Sequence, residues 1–277
     1  MNKKIGIIFA LVLVAFLVMG TASAGLFDFL GGDDAGDNAT NDEDTFIVGF
    51  DAEFPPYGYK DDSGNYVGFD LDLAKEVCER NNWTFKAQPI DWDAKDAELD
   101  SGSIDCIWNG FTINGRENDY TWSEPYIDNK QVVVVRGDSG IANLDGLEGK
   151  IVETQKDSSA LAALQGDNKT LADTFAELTE VADYNTAFMD LESGACDAVA
   201  IDVGVALHQL ANKENGTFVV LPDIISSEQY GVGFKQGNTE LRDQVQETLD
   251  EMFEDGTVAK IAMNYSDSGV PGSLIQK

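Results

Sequence analysis

The sequence predicts a two-lobed α/β protein whose chain crosses between the lobes twice. Short β-branched runs alternate with amphipathic segments, and the alternation pauses at "QVVVVRG" (131–137) before it starts again. Alternation of this kind is typical of parallel sheets with crossover helices. The last two helical segments have no strands of their own to cover, so we expect them to return to the first lobe. This places the crossings near Val135 and Tyr230.

The first lobe is expected to begin with the strand "TFIVGFD" (45–51), which is β-branched and alternates. A hairpin turn at Gly64 follows, in "DDSGNYVGF", and the segment "DLDLAKEVCERNN" has apolar residues at helical spacing. The strand "FKAQPI", a short helix that stops at Gly102 and the strand "IDCIW" complete the pattern. These elements predict one α/β lobe.

The second lobe repeats the same alternation. Its predicted strands are "GKIVET", "TEVADY", "CDAVAI" and "FVVLP", and its predicted helices are "SSALAALQG", "NTAFMDLESG" and "DVGVALHQLANK". A further strand, "YGVGFK" (230–235), and two helices from Thr239 complete the chain. We therefore predict lobe 1 at 46–134 and 231–277, and lobe 2 at 135–230.

The N-terminal 45 residues are expected to lie outside the folded lobes. Lys3 and Lys4 precede an apolar run from Ile5 to Met19 and the small residues 22–24, which indicates a secretory signal peptide over 1–24. An uncleaved membrane anchor is the alternative. Residues 25–45 are mostly Gly, Asp and Asn after a short apolar start, and they predict a flexible acidic spacer. The protein is expected to be secreted or held at the cell surface.

Composition excludes several function classes. The formal net charge of -32 argues against nucleic-acid binding, which needs a basic surface. Cys78, Cys106 and Cys196 lie in apolar contexts and are interpreted as small buried side chains, with a bridge between the first two as the alternative. With His208 as the single histidine, neither a metal site nor a catalytic triad is expected, and no cofactor is predicted.

Polar and aromatic residues follow the predicted strands, where sheets of this kind bind ligands between lobes. They are Asp51, Phe54, Trp92, Asn109, Gly110, Thr112, Arg116, Ser158, Ser159 and Asp202. Arg116 can hold a carboxylate by two parallel hydrogen bonds, and the helix start at Ser158 and Ser159 favours the same anion. Asp202 can bind an ammonium group. Together these groups match the carboxylate and the ammonium group that an amino acid carries on its α-carbon. The alternatives are that Ser159 and Asp202 serve only as helix caps, and that Phe54 and Trp92 are only core aromatics.

Three stretches resemble the extracellular solute-binding proteins of polar amino-acid ABC transporters. They are "VGFDAEFPPYGYKDDSGNYVGFDLDLAKEV", "DSGSIDCIWNGFTINGR" and "WSEPY", and the likeness covers nearly all of 46–266. The resemblance implies the periplasmic binding protein type II, or Venus flytrap, fold. The family typically carries Gly-x-Thr-Ile-Thr-x-x-Arg, and this chain, from Gly110 to Arg116, has one residue fewer before the arginine.

The resemblance also implies roles for the site residues. Arg116 would bind the ligand carboxylate, with Ser158 and Ser159 from the second lobe, and Asp202 would bind the ammonium group. Gly110 and Thr112 would contact either group. Phe54 and Trp92 would enclose the ligand side chain, Asp51 would contact its polar or cationic end, and Asn109 could touch the ligand or only hold the turn. Asp157 stands where the family has glycine, and its charge disfavours an anionic side chain.

We therefore expect a monomeric receptor that captures a free amino acid, with a polar or cationic side chain, for the permease subunits of an ABC importer. The N-terminal segment would keep it near the membrane. One alternative is an enzyme on the same fold, such as a dehydratase, with Asp51 or Glu53 as its acid or base. A ligand-sensing domain for a signalling partner is the other.

Overall fold

The computed structural model describes residues 45–276. The predicted signal peptide, the acidic spacer up to residue 44 and the final residue lie outside the described residues. Within 45–276, no helix is both long enough and apolar enough to cross a membrane.

The described residues form thirteen strands and nine α-helices, besides short 3-10 turns. The strands are β1 (Thr45–Phe50), β2 (Glu53–Phe54), β3 (Gly58–Lys60), β4 (Tyr66–Val67), β5 (Thr84–Pro89), β6 (Cys106–Ile107), β7 (Thr121–Trp122), β8 (Ile127–Arg136), β9 (Ile151–Gln155), β10 (Glu177–Val181), β11 (Ala198–Asp202), β12 (Phe218–Tyr230) and β13 (Gly233–Phe234). The helices are α1 (Phe69–Asn81), α2 (Lys95–Ser101), α3 (Ser159–Gln165), α4 (Lys169–Ala172), α5 (Tyr184–Ser193), α6 (Val203–Ala211), α7 (Thr239–Glu254), α8 (Thr257–Ala262) and α9 (Val270–Ser273).

The first five-stranded sheet has the order β5-β1-β6-β13-β7. Strand β1 pairs in parallel with β5 and β6, as the strand–helix alternation predicts, whereas β13 is antiparallel to β6 and β7. Helices α7 and α8 pack against α1. The C-terminal part of the chain therefore returns to the sheet that the N-terminal part begins.

The second five-stranded sheet has the order β10-β9-β11-β8-β12. Strand β9 is parallel to β10 and β11, and β8 lies antiparallel between β11 and β12. The sequence interpretation took 131–134 as the end of the first lobe, but these residues pair with β11 in this sheet. The limits of the two lobes stay a prediction.

Three local elements differ from, or add to, the sequence interpretation. The predicted strand "FVVLP" continues to Tyr230 as β12, with register shifts after Val220 and Ile224. The predicted strand at 230–235 keeps only Gly233 and Phe234 in β13. Strands β2, β3 and β4 form a small antiparallel sheet, and Gly64, at φ 85°, makes the expected turn between β3 and β4.

The three cysteines are buried free thiols, as the apolar context of each predicts. Burial raises the pKa of the Cys78 and Cys196 thiols to about 12, so both are uncharged at neutral pH. The alternative bridge between Cys78 and Cys106 is not formed.

Candidate functional site

A small cavity lies beside the carboxyl ends of strands from both large sheets. Nine of the ten predicted site residues line it, together with Gln155. Those nine are Phe54, Trp92, Asn109, Gly110, Thr112, Arg116, Ser158, Ser159 and Asp202. Asp51 is the exception, because it lines an adjoining groove instead.

Arg116 brings a positive charge to the cavity wall. Its Nη1 donates to the carbonyl oxygen of Thr112 at 3.3 Å, and its Nη2 donates to that of Asp157 at 3.2 Å. The guanidinium carbon also lies 5.3 Å from the ring centre of Phe111. Within residues 45–276, Arg116 forms no ion pair with a carboxylate. The backbone therefore orients the guanidinium while its charge remains without an opposite partner.

Asp202 brings a negative charge to the same cavity. It ends β11, it is 3% exposed, and its Oδ1 accepts hydrogen bonds from Tyr230 Oη at 2.5 Å and from Asn129 Nδ2 and Gln131 Nε2 at 2.7 Å each. Burial is the largest cause that raises its pKa to about 7, and the nearby charge of Glu228 is the second. No lysine, arginine or histidine of the described residues pairs with it.

Three hydroxyl-bearing residues, Thr112, Ser158 and Ser159, line the same cavity. The Oγ1 of Thr112 lies 3.2 Å from the Oγ of Ser159, which brings the loop after β6 against the start of α3. The Oγ of Ser158 caps α3 by accepting from the N–H of Leu161 at 3.1 Å. The cap of α3 is therefore Ser158 and not Ser159, and Asp202, at the start of α6, forms no side-chain cap hydrogen bond. Ser158 also lines the cavity.

The aromatic walls are Phe54 and Trp92, which are 7% and 9% exposed. Phe54 packs at 6.0 Å on the ring of Tyr184, and Trp92 lies at 5.4 Å, edge on, to Phe111. Both residues therefore belong to the core and to the cavity at once.

Gly110 lies against these aromatic walls. It adopts φ 57°, and a Cβ there would approach the ring of Phe54 to 2.8 Å. Its N–H donates to Asp70 Oδ2 at 2.6 Å, so that N–H is not free for a ligand.

Asn109 and Gln155 connect the cavity to Asp51. The Oδ1 of Asn109 accepts from the N–H of Asp51 at 3.0 Å, and Gln155 Nε2 donates to Asp51 Oδ2 at 2.6 Å. Burial raises the pKa of Asp51 to about 6. The Nδ2 of Asn109, which is 1% exposed, has no hydrogen-bond partner among the described residues.

Two ion pairs join the segment after β5 to the segment after β9, and each segment supplies the acid of one pair and the lysine of the other. Asp93 pairs with Lys156, and Lys95 pairs with Asp157. Lys95 is 1% exposed and stacks at 5.2 Å over Trp92. Asp157 has the left-handed φ of 57° that glycine favours, and its carboxylate is neutralised by Lys95 instead of lining the cavity. The effect of Asp157 on the ligand side chain stays a prediction.

Sequence reasoning missed five residues of the site. They are Asn129, Gln131, Gln155, Glu228 and Tyr230. One signal was present, because Asn129 and Gln131 stand two residues apart, just before the apolar run 132–135, and so share a face of the strand.

The family profile of "Bacterial extracellular solute-binding proteins, family 3" matches residues 46–268. The L-cystine-binding protein of Escherichia coli is 29% identical over 240 residues, which cover 84% of this chain and 86% of the relative. The lysine/arginine/ornithine-binding periplasmic protein of the same organism is 28% identical, over 83% of this chain and 90% of the relative.

A solved structure shows the same fold. The substrate-binding protein of an ABC uptake transporter from Streptococcus pneumoniae, with bound histidine, superposes with a TM-score of 0.78. It is 32% identical and covers 80% of this chain and 92% of that chain. The type II periplasmic binding protein architecture, which the sequence resemblance implied, is thereby confirmed.

Proposed function

This chain belongs to the bacterial extracellular solute-binding proteins, family 3, and we propose that its cavity binds one free amino acid for import by an ABC transporter. Family members are binding proteins, so the expectation of a receptor in place of an enzyme is confirmed. One observation carries the proposal for the ligand. A guanidinium and a buried carboxylate, neither in an ion pair within residues 45–276, line the same cavity.

The ligand carboxylate binds at Arg116. A guanidinium has five N–H groups, and two of those of Arg116 already donate to backbone carbonyl groups. The remaining N–H groups can hold a carboxylate, with the hydroxyl groups of Ser158 and Ser159 as further donors. Their convergence on one cavity supports the assignment.

The ligand ammonium group binds at Asp202. The three hydrogen bonds to its Oδ1 hold the carboxylate in place. An ammonium group in the cavity would supply the positive partner that a buried carboxylate needs. Thr112 lies beside it and can accept from the same ammonium group.

The ligand side chain lies between Phe54 and Trp92 and points towards Gln155 and Asn109. Amide groups at that end match a polar side chain, and Asp51, hydrogen-bonded to Gln155, favours a cationic over an anionic end. Relatives named for cystine and for lysine, arginine and ornithine support this class of ligand. We therefore propose a polar or cationic amino acid.

Ligand binding is proposed to close two lobes, 46–134 with 231–277 and 135–230. Contacts across the cleft join Asp51 to Gln155 and Lys95 to Asp157, and such contacts can form only when the lobes are close. The closed monomer would then dock on permease subunits outside the cytoplasmic membrane, kept nearby by its N-terminal segment. The uptake system of the Streptococcus pneumoniae relative supports the transporter as partner.

Titration calorimetry tests the proposal. The protein is refolded to remove any bound ligand, and each of the twenty amino acids, ornithine and cystine is titrated into it. We expect heat from one or a few of them, at a Kd of about 1 µM, which corresponds to about -8 kcal/mol. A folded protein that gives no heat with any compound would refute an amino acid as the ligand.

A further inference from the structure

Glu228 is a second buried acid next to the cavity, and nothing assigned so far explains it. It lies in β12, two residues before Tyr230, and is 6% exposed. Within the described part of the chain, no basic side chain forms an ion pair with it. A buried carboxylate without a cation is costly, so its presence needs a reason.

The strand register places Glu228 beside Asp202. In the second sheet, Gln131 of β8 pairs with Asp202 on one side, and Asn129 of the same strand pairs with Glu228 on the other. Asn129 and Gln131 are two residues apart, so they project from one face of β8. The two carboxylates therefore meet across the same pair of amides.

Both amides donate to both carboxylates. Asn129 Nδ2 lies 2.7 Å from Asp202 Oδ1 and 2.7 Å from Glu228 Oε1. Gln131 Nε2 lies 2.7 Å and 2.8 Å from the same two oxygens. Neutral amides satisfy hydrogen bonds but supply no charge, so two acids remain without a positive partner.

The same oxygen of Glu228 also joins the two flanks of the cavity. Thr112 Oγ1, from the loop after β6, donates to Oε1 at 2.8 Å, and Ser159 Oγ, at the start of α3, lies 3.2 Å from the same oxygen. Glu228 is thus the point where residues from both large sheets and the Asp202 network converge.

We propose that Glu228 is a positioning residue of the ammonium site, which acts through Asn129 and Gln131 to hold Asp202 and doubles the negative charge that a protonated amine meets. The inference rests on the proposed function, because it takes the ammonium group of an amino acid as the ligand of Asp202. It assigns the preference for a charged amine to two acids instead of one.

The affinity for an ammonium group should depend on pH. The groups that face Asp202 are Glu228 and the phenols of Tyr57, Tyr184 and Tyr230. Burial raises the pKa of each phenol, so all three are uncharged near neutral pH, and Glu228 is the charge that acts on Asp202. Burial, and after it repulsion by Glu228, raises the pKa of Asp202 to about 7. Below that pH Asp202 becomes protonated, and affinity for an ammonium group must fall.

The test compares wild type, Glu228→Gln and Glu228→Asp by calorimetry between pH 5.5 and 8.5. The probes are L-arginine and L-glutamine, whose α-ammonium groups stay mainly protonated over this range, and the tightest binder of the amino-acid panel is added if neither binds. Glu228→Gln keeps the shape and loses the charge, whereas Glu228→Asp keeps the charge. Glu153→Gln is the matched control, because it neutralises another buried carboxylate of the second sheet outside the cavity.

At pH 8 we expect Glu228→Gln to weaken binding by about tenfold or more. Without the neighbouring charge the pKa of Asp202 decreases, so the pH at which affinity starts to fall should move downwards. Glu228→Asp should keep the wild-type midpoint, and Glu153→Gln should match wild type. Thermal melts establish that every variant is folded.

Three other outcomes would each count against a proposal. A folded Glu228→Gln with wild-type affinity and an unmoved midpoint overturns the inference while the proposed function stands. A larger loss in Glu228→Asp than in Glu228→Gln, with unmoved midpoints, means that shape matters and charge does not, which also overturns it. A wild-type protein that binds no amino acid refutes the proposed function, and the inference falls with it.

Discussion

Replacing Arg116 by alanine removes the guanidinium that we assign to the ligand carboxylate. Two of its N–H groups donate to the carbonyl oxygens of Thr112 and Asp157, and its charge has no carboxylate partner within residues 45–276. The two backbone contacts hold the guanidinium in place and leave its other N–H groups to donate to a ligand. We therefore expect the substitution to remove both the charge and the two hydrogen bonds that we propose to the ligand.

The magnitude follows from those two bonds. Each hydrogen bond to a charged group contributes about 1.5 to 3 kcal/mol, so the pair contributes about 3 to 6 kcal/mol. Arg116 is half-buried, and water can replace part of this loss. We therefore expect Arg116→Ala to weaken binding by about 2 to 5 kcal/mol, which is a factor of roughly thirty to a few thousand in Kd.

Calorimetry with the amino acid that binds wild type most tightly measures this factor. Arg116→Lys should fall between wild type and alanine, because lysine keeps the charge and loses the planar fork. Arg242→Ala is the matched control, since it removes another arginine whose contacts are to Trp122 and Asp243 in the first sheet's surroundings. An Arg116→Ala protein with unchanged affinity would refute the assignment of the carboxylate site.

Two further predictions concern the cleft contacts and the response to pH. Lys95→Met removes a buried lysine and its ion pair across the cleft, and it should weaken binding by about tenfold in calorimetry. Lys156→Met, in which both partners of the pair are exposed, should change binding less than about threefold. Equal effects would contradict a closing role for Lys95. Burial raises the pKa of Asp70 to about 7, so its contribution to stability is complete below its unfolded pKa near 4 and is lost as the pH rises to about 7. Asp70→Asn, which mimics the protonated acid, should lessen the fall in melting temperature between pH 4 and 8, and an unchanged slope would argue against this role.

Most of the fold could be predicted from the sequence because the signals are local. The β-branched runs of β1 and β9 and the helical spacing of α1 each depend on residues that are neighbours in the chain. The length of a strand was less predictable where pairing with a distant strand extends it. Strand β12 reaches Tyr230 because β8 pairs with it along most of that length, which no local pattern records.

The site was predictable where a residue stands at the end of a strand. Arg116 and Asp202 were identified in that way, and the structure brings both to one cavity, although their roles stay predictions. Asp51 met the same criterion but lies in the adjoining groove, because Gln155 stands between it and the cavity. Position along a strand does not decide which of two spaces a side chain enters.

By itself, the sequence determined the alternation of strands and helices, the family and the residues at the strand ends. Only the tertiary structure decided that Glu228 and Asp202, 26 positions apart in the chain, share the amides of Asn129 and Gln131. The physical reason is register. A shift of one residue in the pairing of β8 with β11 or β12 would turn one acid to the opposite face of the sheet, and register is set by packing across the whole sheet.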